Sequence, residues 1–144
     1  MRAVADRLRL RLGDAPLVRD REIAATYAVD ASFWARPPVD FTVVRARDEA
    51  DVVAVLDEAQ AHGIPVVPQG ARTALTGAAC ATEGSIVLNV EDLRGLDIDP
   101  VEGHARVGPG IVTAELKAAA AQVGLHYPPA VSYTHLTLPT SDLV

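Results

Sequence analysis

The stretch "FTVVRARDEADVVAVLDEAQAHGIPVVP", residues 41–68, decides the predicted fold. It begins with FTVVRA, whose β-branched residues favour a strand because they pack well on a pleated sheet. It ends with IPVVP, which predicts a second, short buried strand. The residues between them have helical composition, and the links are brief. We therefore predict a βαβ unit with parallel strands and a right-handed crossover.

The helix inside this unit carries its own start and stop signals. Asp48 is predicted to be the N-cap, and Asp51 stands at the reciprocal position of a capping box. Gly63 suits a left-handed C-cap, with His62 in the last turn near the negative end of the helix dipole. The predicted buried face consists of Val52, Val55, Leu56 and Ala59.

The sequence on either side of this unit predicts a mixed α+β fold. VADRLRLRLG predicts a helix in an N-terminal extension, residues 1–29, and Pro37 and Pro38 make the segment after Asp30 irregular. Downstream, SIVLNV predicts a strand, and LDIDPVEGHARVGPG alternates as a β-hairpin does. TAELKAAAAQVG predicts a final helix with Thr113 as its cap and Gly124 as its terminator.

Composition limits the possible functions. The chain has 144 residues, of which 22% are charged, and this composition is typical of a globular domain. Its net charge of −6 argues against nucleic acid as a partner, because phosphate binding usually needs a basic face. The single cysteine, Cys80, excludes an internal disulfide. The N-terminus lacks the apolar core of a signal peptide, and no stretch is long enough for a membrane span. We therefore expect a cytoplasmic protein. No cluster has the spacing of metal ligands, so we expect no metal site.

The segment "PQGARTALTG", residues 68–77, is the candidate binding loop. Gly70 and Gly77 allow positive φ and a close approach of backbone to a ligand. Inward-facing N–H groups, the Arg72 guanidinium and the hydroxyls of Thr73 and Thr76 would suit a phosphate. The loop has neither the lysine of a P-loop nor the Gly-x-Gly-x-x-Gly pattern. From the residues alone, a phosphate-binding loop and a tight structural turn both remain open.

The end of the chain, "VSYTHLTLPTSDLV", residues 131–144, differs from everything before it. Val131 to Thr140 reads as the in-frame translation of a transposase adapter used in sequencing libraries. We therefore interpret residues 131–144 as non-native and exclude them from the fold. The alternative is a native polar C-terminus. The first interpretation makes the chain an N-terminal fragment whose natural sequence continues after Ala130.

Residues 30–130 resemble the FAD-binding (PCMH-type) domain of the vanillyl-alcohol-oxidase superfamily, in the branch of the glycolate oxidase-like and D-lactate dehydrogenase-like FAD-linked oxidases. The shared landmarks occur in order along the chain. They are DAS at 30–32, the helix ending in AHGIP, the loop at 68–77, the strand SIVLNV, the turn VGPG at 107–110 and the exit HYPP. The resemblance implies an N-terminal βαβ-type subdomain followed by a truncated antiparallel subdomain.

The resemblance also implies that the loop binds the FAD pyrophosphate through main-chain amides. The matching positions are Gln69, Gly70, Ala71, Arg72, Thr73, Ala74, Leu75, Thr76 and Gly77, with Pro109 and Gly110 beside the cofactor. Gln69 stands where arginine is usual, and Arg72 and Ala74 stand where glycine is frequent. If position 74 needs positive φ, its methyl group costs about 1 kcal/mol or more. Thr73 replaces the histidine of covalent flavin attachment, so non-covalent FAD is expected.

The implied function is that of an FAD-dependent oxidoreductase that oxidises a 2-hydroxy acid such as glycolate or D-lactate. The flavin would carry the redox chemistry, and the fragment is expected to be inactive and to bind FAD weakly at best. No catalytic residue is assigned. The alternatives are a flavin reductase of the cell-wall precursor type, a non-catalytic nucleotide-binding or interaction module, and a fragment without a stable function.

The remaining conspicuous side chains favour structural interpretations. His104 and His126 are predicted to be surface or packing residues, and Cys80 a small buried residue. Asp97 and Asp99 are predicted on the solvent face of a strand. Trp34 is interpreted as an anchor for the DASFWARPP segment.

Overall fold

The computed structural model describes residues 2–14 and 16–128, so the interpretation of residues 131–144 lies outside the described residues. The described chain contains helices and short strands in mixed order, which confirms the α+β class. The elements are α1 (Arg2–Leu12), β1 (Leu17–Val18), α2 (Arg21–Ala25), β2 (Thr42–Arg45), α3 (Glu49–His62), β3 (Val66–Gln69), β4 (Ile86–Asn89), β5 (Leu96–Asp99), β6 (His104–Val107) and α4 (Thr113–Gln122).

The main sheet has the strand order β1-β2-β4-β3. Strands β2 and β3 are both parallel to β4, which confirms the predicted parallel strands joined by α3. The strand β4 lies between them, although it comes later in the chain. Strand β1 pairs antiparallel with β2, so the N-terminal extension contributes a strand as well as helices. Arg45, Asn89 and Gln69 lie side by side in register, and the three parallel strands therefore end together at one edge.

Helix α3 begins and ends where its sequence signals predict. The Asp48 carboxylate accepts a hydrogen bond from the N–H of Asp51 at 2.9 Å, and Gly63 takes φ 62° at the C-cap. In a capping box the Asp51 side chain would accept a hydrogen bond from the N–H of the N-cap, Asp48, but here the donor is one residue earlier. The Asp51 carboxylate accepts from the N–H of Arg47 at 3.0 Å and from the Arg47 side chain at 2.8 Å, and these bonds lower the pKa of Asp51.

The buried face of α3 differs from the predicted one at Leu56. Val55 and Ala59 are buried, but Leu56 is 47% exposed, so its predicted burial is wrong. The carboxylate of Glu58 is buried instead, where it pairs with Arg7 of α1 and with His62 at 3.2 Å. The hydrogen bond from Arg7 is the main cause of a lowered pKa of Glu58. The ion pair between Glu58 and Arg7 of α1 thus occupies part of the buried face of α3, which helical periodicity predicts to be apolar.

The two faces of the main sheet are covered differently. Helices α1 and α3 cover one face, and their shared core with the sheet consists of Val4, Leu8, Val44, Ala46, Val55, Ala59, Ile86 and Leu88. The opposite face packs against residues of loops, in a cluster of Tyr27, Val43, Ala81 and Val87. This second cluster brings Tyr27 and Ala81 to the side of the sheet on which the candidate loop is held.

Strands β5 and β6 form a separate antiparallel hairpin, as predicted. Asp97 is exposed, but Asp99 is half-buried, and its carboxylate accepts from the N–H groups of Val101 and Glu102 at 2.9 and 3.0 Å. Asp99 thus closes the turn and does not simply face solvent. In α4, the N-cap is Val112 and no side chain caps the helix, so the prediction of Thr113 as the cap is wrong by one residue.

Candidate cofactor-binding site

Residues 68 and 69 of the candidate segment belong to β3, and residues 70–77 form the loop itself. This loop leaves the carboxyl end of β3 at the edge where the parallel strands end together. Its base is fixed beside the end of β4, where the N–H of Val90 donates to the Gln69 carbonyl at 2.9 Å. The Asn89 side chain donates to the Gly70 carbonyl at 3.4 Å. At the far end, the N–H of Cys80 donates to the Gly77 carbonyl at 3.1 Å and closes a turn. Both ends of the loop are therefore held by the protein.

Gln69 lies inside the base of the loop. Its side chain is 1% exposed, and Nε2 donates to the carbonyls of Tyr27 at 2.9 Å and Ala79 at 2.7 Å. Oε1 is buried and has no hydrogen-bond partner among the described residues. The carboxamide thus joins the start of the loop to its end and to the upstream segment. An arginine side chain at this position would carry a charge into the same buried place, which a neutral amide avoids.

The upstream segment around Asp30 runs along the loop. The N–H of Ala31 donates to the Ala74 carbonyl at 3.0 Å, and the Asp30 carboxylate accepts from the N–H of Ala79 at 3.3 Å. Asp30 also accepts from the N–H of Ser32 at 2.9 Å, and the hydrogen bond from the Ser32 side chain is the largest cause of lowering the pKa of Asp30 to about 2. The Asp-Ala-Ser landmark therefore fixes the loop's shape.

Backbone strain in the loop lies at Arg72. Arg72 has φ 58° and is the one residue other than glycine with positive φ in the described residues. Gly77 has φ 76°, whereas neither Gly70 nor Ala74 has a positive φ. The strain considered for Ala74 is therefore absent. A left-handed conformation costs a non-glycine residue about 1–2 kcal/mol, and Arg72 bears that cost here.

The Arg72 side chain lies over the Tyr27 ring, with the guanidinium carbon 4.5 Å from the ring centroid. Its Nη1 is buried and has no hydrogen-bond partner in the described part of the chain. No main-chain N–H from Ala71 to Gly77 donates to an acceptor within residues 2–14 or 16–128. The loop thus offers a set of unused donors and one cation, and its own side chains include no carboxylate.

The glycines of the site differ in what surrounds them. A Cβ at Gly70 would meet nothing within 4 Å, so the backbone there is open to a ligand. A Cβ at Gly77 would lie 2.4 Å from the Trp34 ring, and the exposed Trp34 therefore packs directly on the loop, as its anchor role predicts. A Cβ at Gly110 would lie 2.2 Å from the Glu91 carbonyl oxygen. Gly110 is therefore required by packing within the protein.

Nine of the eleven predicted site residues form one continuous segment, and the other two lie in a separate turn. Gln69 to Gly77 form one loop, with Ala71, Thr73, Leu75 and Thr76 exposed. Pro109 and Gly110 lie in a separate turn, which meets the loop's base at Val90: a Cβ at Gly110 would be 2.7 Å from the Val90 carbonyl oxygen. Tyr27 and Ala79 contact the site although no sequence pattern singled them out, because their contacts join distant parts of the chain.

The other singled-out side chains do not form a second site. Cys80 is half-buried and not fully buried as predicted, and its sulfur lies 3.4 Å from the N–H of Asp30 and 3.7 Å from Oγ of Ser32. His104 and His126 are exposed. Among the described residues, no three His, Cys, Asp or Glu side chains are grouped as metal ligands. No helix in that part of the chain has the length and apolar character to cross a membrane.

The sequence matches the family described as FAD binding domain over residues 42–137. This match covers most of the chain, and the chain therefore belongs to the FAD-binding domain family. The expected resemblance is confirmed. The matched range includes part of residues 131–144, whose non-native origin stays a prediction.

Two curated relatives illustrate this membership. The chain is 35% identical over 88 residues to glycolate oxidase subunit GlcD of Bacillus subtilis, which covers 60% of this chain and 19% of that protein. It is 36% identical over 94 residues to D-lactate dehydrogenase of Archaeoglobus fulgidus, which covers 65% of this chain and 21% of that protein. The chain thus spans about a fifth of the length of these relatives.

A solved structure shows the same fold. The crystal structure of p-cresol methylhydroxylase with substrate bound matches with a TM-score of 0.70 at 21% identity. The match covers 86% of this chain and 25% of that chain. The described residues therefore share the fold of the matching part of that chain.

Proposed function

We propose that this chain forms the pyrophosphate-binding part of the FAD site of a longer FAD-dependent oxidoreductase. The main support is the run of unused main-chain N–H groups from Ala71 to Gly77, held beside the unpaired guanidinium nitrogen of Arg72. Nη1 of Arg72 is buried, and buried donors without acceptors are rare in folded proteins. A phosphate group can accept from such a donor and from several main-chain N–H groups together.

Each part of the loop has a separate role in this proposal. The main-chain N–H groups donate to the phosphate oxygens, and the Arg72 guanidinium offsets their charge. The open backbone at Gly70 lets the cofactor approach, and the hydroxyls of Thr73 and Thr76 are further donors. The turn of Pro109 and Gly110 flanks the cofactor. Because Thr73 has no nucleophilic ring nitrogen, the cofactor is held without a covalent bond.

The proposed reaction of the longer protein is the oxidation of a small 2-hydroxy acid. The names of the relatives, glycolate oxidase and D-lactate dehydrogenase, support this substrate class. Bound FAD would supply the two-electron acceptor, and this chain's own residues would bind and orient it. No residue of the described chain is assigned to proton transfer. A cytoplasmic location is part of the same proposal and rests on the sequence alone.

An NMR titration of the chain tests the cofactor proposal even if binding is weak. FAD and ADP, each raised to millimolar concentration, are expected to shift the amide signals of residues 70–77. Riboflavin, which lacks phosphate, is expected to leave those signals in place. If FAD shifts no amides, or shifts those of α1 and α3 on the opposite face, the proposal is wrong. Equal shifts with riboflavin would show that the loop does not bind the phosphates.

A further inference from the structure

We infer that Tyr27 is a positioning residue that holds the Arg72 guanidinium as the charged contact of the loop for the diphosphate of the cofactor. This inference rests on the proposed FAD site and extends it to a residue upstream of the matched range, which begins at residue 42. Arg72 would touch the phosphate, and Tyr27 would act through Arg72.

Tyr27 can hold the Arg72 guanidinium in one position because Tyr27 is itself part of the core. It is 7% exposed and packs with Val43, Ala81 and Val87 on the loop-covered face of the sheet. Its carbonyl also accepts the hydrogen bond from Gln69 Nε2 at 2.9 Å. One residue therefore contacts the loop twice, at its base through Gln69 and in its middle through Arg72.

The contact with the Tyr27 ring does not use the hydrogen-bond donors of the guanidinium. A cation–π contact is made by the charge over the ring, and the N–H donors remain for an anion. Phosphate recognition needs those donors. Nη1 of Arg72 is buried without a hydrogen-bond partner in the described residues, so the protein itself does not use this donor.

Two further observations distinguish Arg72 from the arginines of the protein that are engaged in ion pairs. Arg7, Arg45, Arg47 and Arg94 each pair with a carboxylate. Arg72 is in no ion pair of the described residues, and its backbone has φ 58°. A left-handed conformation in a non-glycine residue persists when the surroundings impose it, which is common at ligand sites. The residue with this strained backbone is also the one whose side chain lies over Tyr27.

Two single variants, their combination and two controls test this pair in FAD titrations of the chain. We expect Arg72→Gln to weaken FAD binding about tenfold, the effect of losing one charge-assisted hydrogen bond. Tyr27→Leu should weaken it about threefold, and Tyr27→Phe, which keeps the ring face, should not. In the Arg72→Gln background, Tyr27→Leu should cause no further loss. Arg9 is an exposed residue of α1, so Arg9→Gln makes the same charge change away from the loop and should bind FAD as the wild type does.

The controls separate this inference from the proposed function and from unfolding. If the wild type binds FAD but Arg72→Gln binds equally well, the inference is wrong and the proposed function stands. If Tyr27→Leu weakens binding as much in the Arg72→Gln background as in the wild type, Tyr27 acts through the fold and not through Arg72. A wild type that does not bind FAD contradicts both.

Two measurements do not depend on the stability of Tyr27→Leu. The Nε–Hε signal of Arg72 in the wild type should shift with FAD and with ADP, but not with riboflavin. The Kd for FAD should rise more steeply with salt in the wild type and Arg9→Gln than in Arg72→Gln, because one fewer ionic contact is screened. An unmoved Arg72 signal, or equal salt slopes, would overturn the inference.

Discussion

At the scale of single residues, the candidate loop is shaped by a few side chains that contact it. Gln69 joins its two ends, Asp30 holds Ala79, and Trp34 packs on Gly77. None of these side chains needs to touch a ligand to matter for binding. They hold the loop in a shape in which the main-chain N–H groups of residues 71–77 donate to no acceptor among the described residues, and in the proposed site this shape would be preorganised for the phosphate.

Asp30 gives this scaffold a dependence on pH. Its pKa is lowered from 3.8 to about 2, so its contribution to stability is present above its unfolded-state pKa and is lost as pH falls towards 2. The difference in the free energy of unfolding between wild type and Asp30→Asn should be constant above about pH 5 and narrow between about pH 4 and 2. Urea denaturation at a series of pH values measures it.

The variant Ser32→Ala checks the physical cause of this effect. Removing the Ser32 hydroxyl removes the largest cause of the lowered pKa, so the carboxyl signal of Asp30 should titrate at higher pH than in the wild type. An unchanged titration, or a wild type and Asp30→Asn that lose stability in parallel down to pH 2, would contradict the assigned role of these hydrogen bonds.

At the scale of elements, α3 is the part of the fold that local chemistry determines. Its start and end depend on Asp48 and Gly63, and both act on neighbours within a few residues. Its packing does not follow from periodicity, because Glu58 is buried by contact with Arg7 of α1. Nearby residues therefore set the start and end of the helix, whereas contacts with distant parts of the chain set its buried face.

The cap of α3 can be tested by mutation. Asp48→Ala should lower the free energy of unfolding by about 1 kcal/mol, since the N–H of Asp51 loses its acceptor. Asp57→Ala is the matched control, because Asp57 is exposed in the middle of the same helix, and its effect should stay within about 0.5 kcal/mol. Guanidinium chloride denaturation measures both. Equal losses in the two variants would show that capping by Asp48 does not stabilise α3.

At the scale of the whole molecule, the described chain has a well-buried sheet and a more exposed hairpin. All four residues of β4 are buried, and β4 pairs with a strand on each side. By contrast, β5 and β6 pair only with each other, and each has exposed residues. A two-stranded hairpin has little stability of its own in water.

Hydrogen exchange should reveal this difference. The hydrogen-bonded amides of β4 should exchange at least about tenfold more slowly than those of β5 and β6, because the hairpin can open without disrupting the main sheet. Amide exchange followed by NMR at neutral pH measures both sets in one sample. If the two sets exchange at the same rate, the hairpin and the sheet open as one cooperative unit and this division is wrong.

The sequence by itself determined the α+β class, the family, the bounds of α3 and the position of the small-residue loop. These features depend on composition, on landmarks in order and on caps that act over one turn of helix. The tertiary structure alone decided that β4 lies between β2 and β3, that Gln69 points into the loop's base, and that Arg72 lies over Tyr27. The reason is physical: each of these contacts joins distant parts of the chain, and it forms only when folding brings them together.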